Sequence, residues 1–297
     1  MTIKLYLGEG RPAGKAVSVA NLGCKAAMNW DWMRLLSGAP EAGVDVWPLV
    51  HLTGGSVDRL TDWARAQPIS HIMIENEPFT QKNLTPQAAA RRLTEEVLPY
   101  AAQFCPKAQR VMGGFLIEYP MLYPAIRSQV AELMKAIGRD DDVVAFHLYL
   151  PEAPQMSEVT AAAEWFRQQV VGIEQDWPLF AVTEFGVGRA SYSGRDVAAL
   201  GEYMRRTWDA LLARDCYAAG WFLCAPNSEH SAYSDMVLCW ENGAPKPLGL
   251  TYRELPPALP VIEPEPPEPS AEWLVHLDET VISGGRAWNV LLRSKEA

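Results

Sequence analysis

Residues 72–102 read IMIENEPFTQKNLTPQAAARRLTEEVLPYAA, an apolar run that ends in polar residues and is followed by an amphipathic stretch. Thr85 can cap a helix, and Pro86 suits the first helical position because its missing N–H is not needed there. The stretch therefore predicts a strand at Ile72–Asn76 and a helix at Thr85–Ala102. One face of this helix is apolar and is formed by Leu93, Val97, Leu98 and Ala101.

The same alternation of strand and helix signals runs along most of the chain. A second clear helix is predicted at Ser157–Gln175, where a serine cap precedes apolar residues at helical spacing. Eight strand–helix units in about 250 residues predict a somewhat reduced (β/α)₈ barrel of the α/β class. A doubly wound open sheet is the alternative. The predicted strands are Lys4–Leu7, Lys25–Asn29, Val44–Leu52, Ile72–Asn76, Arg110–Phe115, Val143–Tyr149, Leu179–Phe185 and Ala218–Leu223.

Composition excludes several classes of protein. The chain has 297 residues, of which 48% are hydrophobic and 21% charged, and no apolar run approaches the ~18 residues that a membrane span needs. The formal net charge of −10 would repel a phosphate backbone, so we expect neither nucleic acid nor a membrane as a partner. Cysteine and histidine spacings match no metal motif, and neither a phosphate loop nor a nucleophile elbow is present, so we expect no metal and no cofactor. The start, MTIKLYLGEG, has no signal-peptide pattern, which leaves the compartment open.

Composition changes after Leu255. Residues 256–269 hold seven prolines and three glutamates, which favours an extended linker. Residues 270–297 alternate apolar positions on either side of Gly284 and Gly285, which predicts a β-hairpin. The predicted organisation is a barrel at 1–255, a linker at 256–269 and a C-terminal tail at 270–297. Because so short a tail buries little core alone, we expect it to pack on the barrel or to mediate self-association.

Two glutamates stand at the ends of predicted strands on opposite sides of the barrel. Glu77 follows the fourth strand in an Asn-Glu-Pro motif, and Glu184 closes the seventh strand in Thr-Glu-Phe-Gly. Reactive groups of such barrels collect at the carboxyl ends of the strands. The two carboxyl groups can therefore approach to about 5–5.5 Å, the separation found in retaining glycosidases. Glu75 should face the same way as Glu77 by strand alternation and is an alternative acid.

Three short motifs resemble those of clan A glycoside hydrolases. They are Asn76-Glu77-Pro78, Phe146-His147-Leu148-Tyr149 and Thr183-Glu184-Phe185-Gly186. Further motifs resemble glycoside hydrolase family 128, and the similarity spans residues 4–254. These motifs are Met28-Asn29-Trp30, Trp47-Pro48-Leu49, Asn83-Leu84-Thr85-Pro86, Gly220-Trp221-Phe222 and Pro247-Leu248-Gly249-Leu250-Thr251-Tyr252.

The resemblance implies a retaining hydrolase of a β-linked polysaccharide, in particular a β-1,3-glucan, with Glu77 as general acid/base and Glu184 as nucleophile. The acid must stay protonated near neutral pH, which a neighbouring charge and apolar surroundings favour. Tyr149 is suited to donate a hydrogen bond to Glu184, and His147 is suited to orient one of the glutamates. Asn76 is expected to bind the sugar 2-hydroxyl.

Six further residues near the predicted strand ends are candidates for binding the sugar. Tryptophan rings stack on the apolar faces of pyranose rings, and amide, imidazole and carboxylate side chains can bind hydroxyl groups. The third strand closes with a histidine where the family tends to have an apolar or aromatic residue. The predicted binding residues are Asn29, Trp30, His51, Glu118, Trp221 and Trp240.

Two other functions are compatible with the sequence. A carbohydrate-binding barrel without catalysis would keep the fold and the aromatic residues, although the presence of both Glu77 and Glu184 argues against it. A structural or assembly protein, tethered through the tail at 270–297, is the other alternative. Hydrolysis of a polysaccharide that depends on both glutamates would distinguish the enzyme from either alternative.

Overall fold

The structure is a computed structural model and describes residues 2–7, 15–29, 43–50, 69–80, 83–137, 142–188, 196–224, 236–256, 274–282 and 285–293. Eight parallel strands close into a barrel in chain order, which confirms the predicted fold rather than the open sheet. The ring closes at Leu5, which pairs with Ala26 on one side and with Gly220 on the other. The barrel strands are β1 (Ile3–Leu7), β2 (Ala26–Asn29), β3 (Asp45–Val50), β4 (His71–Ile74), β5 (Gln109–Glu118), β6 (Val143–Leu150), β7 (Phe180–Val187) and β8 (Ala218–Trp221).

In the part of the chain that the structure describes, helices follow β1, β4, β5, β6, β7 and β8, as the alternating sequence pattern predicts. In the described part of the chain they are α1 (Lys15–Asn21), α2 (Pro86–Arg92), α3 (Leu98–Phe104), α4 (Pro124–Ile137), α5 (Val159–Asp176), α6 (Val197–Leu212) and α7 (Pro247–Glu254).

The two helices predicted most clearly are both present, with local differences. Thr85 caps α2 by accepting a hydrogen bond from the backbone N–H of Ala88 at 3.2 Å. A π-helical segment, Leu93–Val97, separates α2 from α3. Pro99 follows this segment and has no N–H for the usual bond to the carbonyl four residues earlier, which favours a wider turn there. The predicted cap at Ser157 is wrong, because α5 begins at Val159 and Glu158 occupies the N-cap position without a side-chain hydrogen bond.

The core lies both inside the barrel and between the strands and the helices. Every residue of β6 and β7 is buried, as expected for parallel strands that are covered on both faces. An aromatic layer packs outside β7 and β8, and its burial is a large part of the driving force for folding. The layer consists of Phe166, Phe185, Tyr203, Trp208 and Trp221.

All five cysteines are free and buried. Among the described helices, none combines the length and the apolar character that crossing a membrane requires.

The last helix of the barrel is tied to the first strand by a buried lysine. The Nζ atom of Lys4 donates hydrogen bonds to the carbonyl oxygens of Tyr252 at 3.0 Å, Arg253 at 3.2 Å and Leu255 at 2.8 Å. The hydroxyl of Tyr252 donates in turn to the carbonyl of Leu5 at 2.7 Å. Since the last carbonyls of a helix lack intrahelical donors, one cation here satisfies three of them and complements the helix dipole.

Residues 259–297 form a second compact unit. In it, β9 (Leu274–Ile282) and β10 (Gly285–Arg293) pair as an antiparallel hairpin, with Leu274 opposite Arg293. Most of the predicted linker lies outside the described residues. Self-association through the tail stays a prediction.

Candidate active site

The acidic segment after β4 leaves the strand conformation at once. β4 ends at Ile74, and both Glu75 and Glu77 have positive φ angles, 66° and 48°. This left-handed conformation is uncommon for residues with a Cβ and is often found at functional sites. The backbone N–H of Glu77 donates to the carbonyl of Gly113 at 3.0 Å, and Thr80 Oγ1 donates to Glu77 Oε2 at 3.3 Å. These contacts hold Glu77 at the carboxyl end of the barrel with 7% of its surface exposed.

Glu184 lies within β7 and is 3% exposed. The hydroxyl of Tyr149, on the neighbouring strand β6, donates to Glu184 Oε2 at 2.6 Å. The ring of Tyr149 is held edge-on against Phe222, with ring centres 5.8 Å apart. A short hydrogen bond from a phenol stabilises the ionised form of a carboxylate.

His147 joins the two glutamates. Its Nδ1 atom lies 2.9 Å from Glu77 Oε1 and 3.3 Å from Glu184 Oε2, and the ring is fully buried. One oxygen of each carboxyl group and this nitrogen all lie within 4.8 Å of one another. Burial by itself lowers the pKa of His147, but the neighbouring carboxyl groups of Glu184 and Glu77 outweigh burial, so the pKa is raised.

The structure brings together the four residues on which the predicted chemistry depends. These are Glu77, His147, Tyr149 and Glu184. Asn76 lies beside them with 3% of its surface exposed. One oxygen of Glu77 and one oxygen of Glu184 lie within 4.8 Å of each other.

Glu75 does not share the position of Glu77. Strand alternation does not apply to Glu75, because the strand has already ended and the backbone has turned into the left-handed region. Its Oε1 accepts a hydrogen bond from the N–H of Asn76 at 2.9 Å, while the contacts to His147 are made by Glu77. In this segment, Glu77 is therefore the residue whose carboxyl group lies against His147 and close to Glu184.

A two-glycine bulge in β5 supports the site and was not singled out from the sequence. β5 pairs with β6 up to Met112 and resumes at Phe115, so Gly113 and Gly114 form a bulge. Both have positive φ angles, 101° and 58°. The sequence signal was the Gly-Gly pair inside an apolar run, since glycine within a strand often marks a bulge or a close approach.

Trp221 requires a correction. It is fully buried, its Nε1 donates to the carbonyl of Met236 at 3.1 Å, and its ring packs against Phe185 and Tyr203. A ring in this environment has no accessible face on which a sugar could stack, so the structure does not support the predicted role. Instead its neighbour Phe222 contacts Tyr149 at the site.

The other predicted binding residues differ in where they lie. Glu118 is exposed at the carboxyl end of β5, next to the site, where it pairs in register with Tyr149 and lies beside Gly188, which follows β7. Trp240 is 56% exposed, and Lys246 Nζ covers its ring at 4.6 Å from the centre. Its turn is bound to the C-terminal end of α1 by a hydrogen bond from Asn21 to Gly243, away from the site. Trp30, His51 and the side chain of Asn29 lie outside the described residues.

The spacing of Glu77, His147 and Glu184 would also suit one metal ion. The hydrogen bonds among them explain the same arrangement without one. The prediction that no metal or cofactor is needed therefore stays a prediction.

Comparisons with known proteins identify structures with this fold. No protein-family model matches the sequence, and no curated protein matches it. A subgroup II endo-β-1,3-glucanase of glycoside hydrolase family 128 from Sorangium cellulosum is 18% identical, with a TM-score of 0.64, over 86% of this chain and 100% of that chain. A subgroup I endo-β-1,3-glucanase from Amycolatopsis mediterranei, in complex with laminaritriose, is 17% identical, with a TM-score of 0.63, over 86% and 100%. A subgroup IV endo-β-1,3-glucanase from Lentinula edodes is 16% identical, with a TM-score of 0.61, over 84% and 98%.

These similarities define the class to which the fold belongs. This chain shares the (β/α)₈ barrel of solved structures from glycoside hydrolase family 128, over nearly their whole length. At identities of 16–18%, the property that the proteins share by this measure is the fold.

Proposed function

We propose that this protein is a retaining glycoside hydrolase that cleaves a β-1,3-glucan. The observation that carries the proposal is the pair of buried carboxyl groups of Glu77 and Glu184, which approach within 4.8 Å at the carboxyl end of the barrel. The similarity of the fold to family 128 glucanases, one of them bound to laminaritriose, supports the choice of substrate. A neutral polymer also suits a chain with a net charge of −10, which would repel acidic polysaccharides.

The reaction proceeds in two displacements. In the first, a carboxylate oxygen of Glu184 bonds to the anomeric carbon while the glycosidic C–O bond breaks and Glu77 gives its proton to the leaving oxygen. In the second, the ionised Glu77 takes a proton from water, and the water oxygen replaces Glu184 at the anomeric carbon. The sugar therefore keeps its β configuration.

Two neighbouring side chains keep the glutamates in these roles. The hydrogen bond from Tyr149 stabilises Glu184 as an anion and fixes the direction from which it attacks. His147 lies between the two carboxyl groups and can donate a hydrogen bond to either of them. The negative charge alternates between them, because Glu184 is the anion before the first displacement, whereas in the glycosyl-enzyme intermediate Glu184 is an uncharged ester and Glu77 is the anion.

The experiment measures products from linear β-1,3-glucan and from a panel of other β-glucans, for wild type, E77Q and E184Q. Glu95→Gln is the matched control, since Glu95 is exposed on the π-helical segment. We expect E77Q to lose about 10²–10⁴-fold in rate, E184Q to lose at least as much, and E95Q to keep wild-type activity. The first product, observed by proton NMR, should be the β anomer.

Three outcomes contradict the proposal in different ways. An α anomer as first product would exclude retention. Equal rates in wild type and both glutamine variants would exclude the two-glutamate mechanism. Binding of glucan without any product would identify a non-catalytic carbohydrate-binding barrel.

A further inference from the structure

The two-glycine bulge of β5 touches both the acid and the imidazole of the site. The carbonyl of Gly113 accepts the backbone N–H of Glu77 at 3.0 Å. Gly114 lies against the opposite side of the His147 ring, so that a Cβ on Gly114 would come within 2.6 Å of Nε2 and 2.9 Å of Cε1. One short segment of backbone therefore determines where Glu77 and His147 can sit.

We propose that Gly114 is a positioning residue for catalysis, which acts through His147. This inference rests on the proposed roles of Glu77 and Glu184. Because Gly114 has no side chain, the imidazole can lie deep enough against β5 for Nδ1 to reach Glu77 at 2.9 Å and Glu184 at 3.3 Å. A Cβ at this position displaces the ring by about 1 Å, since ordinary van der Waals contact begins near 3.4 Å.

The same close approach determines which ring nitrogen carries the proton. Neutral imidazole has one N–H, and the two nitrogens of His147 have different surroundings. Nδ1 faces two carboxyl groups, whereas Nε2 has no hydrogen-bond partner among the described residues and faces Gly114. A buried N–H without an acceptor is costly, so the single proton belongs on Nδ1. His147 is thereby kept as a hydrogen-bond donor between Glu77 and Glu184.

The first experiment compares G114A with G43A. Gly43 has nearly the same positive φ angle, 68° against 58°, and its Cβ would meet nothing within 4 Å. Both variants therefore carry the same backbone strain, but only G114A disturbs the imidazole. We expect kcat/KM on β-1,3-glucan to fall on the order of 100-fold in G114A, with a changed pH profile, and to stay at the wild-type level in G43A.

A double variant shows whether the effect passes through His147. In an H147A background, the new Cβ of G114A meets no ring, so G114A should cause little further loss. The proposal is overturned if G114A behaves like G43A. It is also overturned if G114A costs the same factor with and without His147.

A second measurement needs neither turnover nor a variant at Gly114. Nitrogen-15 NMR of wild type, with the His147 signal assigned by its absence in H147N, reports which ring nitrogen is protonated. At a pH above the raised pKa of His147, where the ring is neutral, we expect its single proton on Nδ1. A neutral ring with its proton on Nε2 overturns the proposal even if G114A does not fold. Failure of wild type to cleave any glucan would instead count against the proposed function, and the NMR result would stand apart from it.

Discussion

Each end of the barrel holds a cluster of carboxyl, imidazole and phenol groups, and the two clusters are built differently. At the carboxyl end, two carboxyl groups share one nitrogen of His147, and the other nitrogen has no partner among the described residues. The carboxyl-end cluster consists of Glu77, His147, Tyr149 and Glu184. The amino-end cluster consists of Asp45, Trp47, Ser70, His71 and Tyr217.

The amino-end cluster satisfies its polar groups more completely. Asp45 Oδ2 lies 2.8 Å from Trp47 Nε1, 2.6 Å from Ser70 Oγ and 3.1 Å from His71 Nδ1. The other nitrogen of His71, Nε2, is hydrogen-bonded to the hydroxyl of Tyr217 at 2.6 Å. The ring of Trp47 stacks on the ring of His71, with ring centres 4.2 Å apart. Burial by itself raises the pKa of Asp45, but hydrogen bonds from His71, Ser70 and Trp47 outweigh burial and lower it.

The difference supports the carboxyl-end cluster as the proposed reaction site. The carboxyl group of Asp45 is hydrogen-bonded to three side chains, those of Trp47, Ser70 and His71. Such a satisfied cluster stabilises the barrel, as is usual for residues at the amino end of this fold.

At the carboxyl end, Glu77 and Glu184 share the donor of His147, and each accepts one further hydrogen bond, from Thr80 and from Tyr149, so the donors described above number three for two buried carboxyl groups. Holding two carboxyl groups this close together is a cost to folding that is common at functional sites. The same kinds of side chain therefore have opposite roles, because the ratio of donors to carboxyl groups differs.

The largest effect that separates the two clusters should come from their tyrosines. Tyr149→Phe removes a hydrogen bond to the carboxyl group of Glu184, and bonds to charged groups contribute about 1.5–3 kcal/mol, or roughly 10–150-fold in rate. Tyr217→Phe should leave kcat/KM unchanged and lower the free energy of unfolding by about 1 kcal/mol. Kinetics on β-1,3-glucan and urea unfolding measure both. A loss of activity in Y217F equal to that in Y149F would contradict the assigned roles.

A smaller effect is expected from the aspartate of the amino-end cluster. Asp45→Asn removes the charge that three donors face, but 39% of this side chain is exposed, so water compensates part of the loss. We expect the free energy of unfolding to fall by about 1 kcal/mol, without a change in kcat. Thermal unfolding with an activity assay tests this. Stability equal to that of wild type would mean that the cluster contributes nothing to the fold.

The smallest effect is a dependence of stability on pH from His147. Its folded-state pKa is raised by Glu184 and Glu77, with Tyr149 also close by, whereas the unfolded value is about 6.5. Stabilisation by the bound proton is therefore complete below about pH 6.5 and is lost as pH rises through the folded-state pKa. The difference in unfolding free energy between wild type and H147N should shrink over that range. A difference that grows with pH would contradict the raised pKa.

Sequence patterns predicted the residues at the ends of central strands well. The existence and order of all eight barrel strands were predicted, because parallel strands and amphipathic helices give distinct periodicities. Some predicted ends were wrong: β4 and β8 end before Asn76 and Leu223, and β5 continues past Phe115 to Glu118. Strand order then brought Glu77 and Glu184 to one end, and the resemblance of short motifs added His147 and Tyr149.

The directions of side chains next to irregular backbone could not be predicted. Trp221 lies within β8 and packs against Phe185 and against Tyr203 of α6, which its place near a strand end does not reveal. At Glu75, the backbone leaves the strand, so alternation fails. The need for glycine at position 114 comes from the close approach of the His147 ring, which exists only after β5 and β6 have paired.

The contacts of Lys4, which join β1 to the end of α7, can form only after nearly the whole barrel has been synthesised. Lys4 is synthesised before the other strands of the barrel, whereas its three carbonyl acceptors are among the last residues of the barrel to be made. At roughly 5–20 residues per second, β8 and the carbonyl groups that Lys4 binds are synthesised about 12–50 s after β1. An apolar strand edge is exposed throughout this interval, so translation speed and chaperone supply should govern the yield of this barrel more than its final stability does.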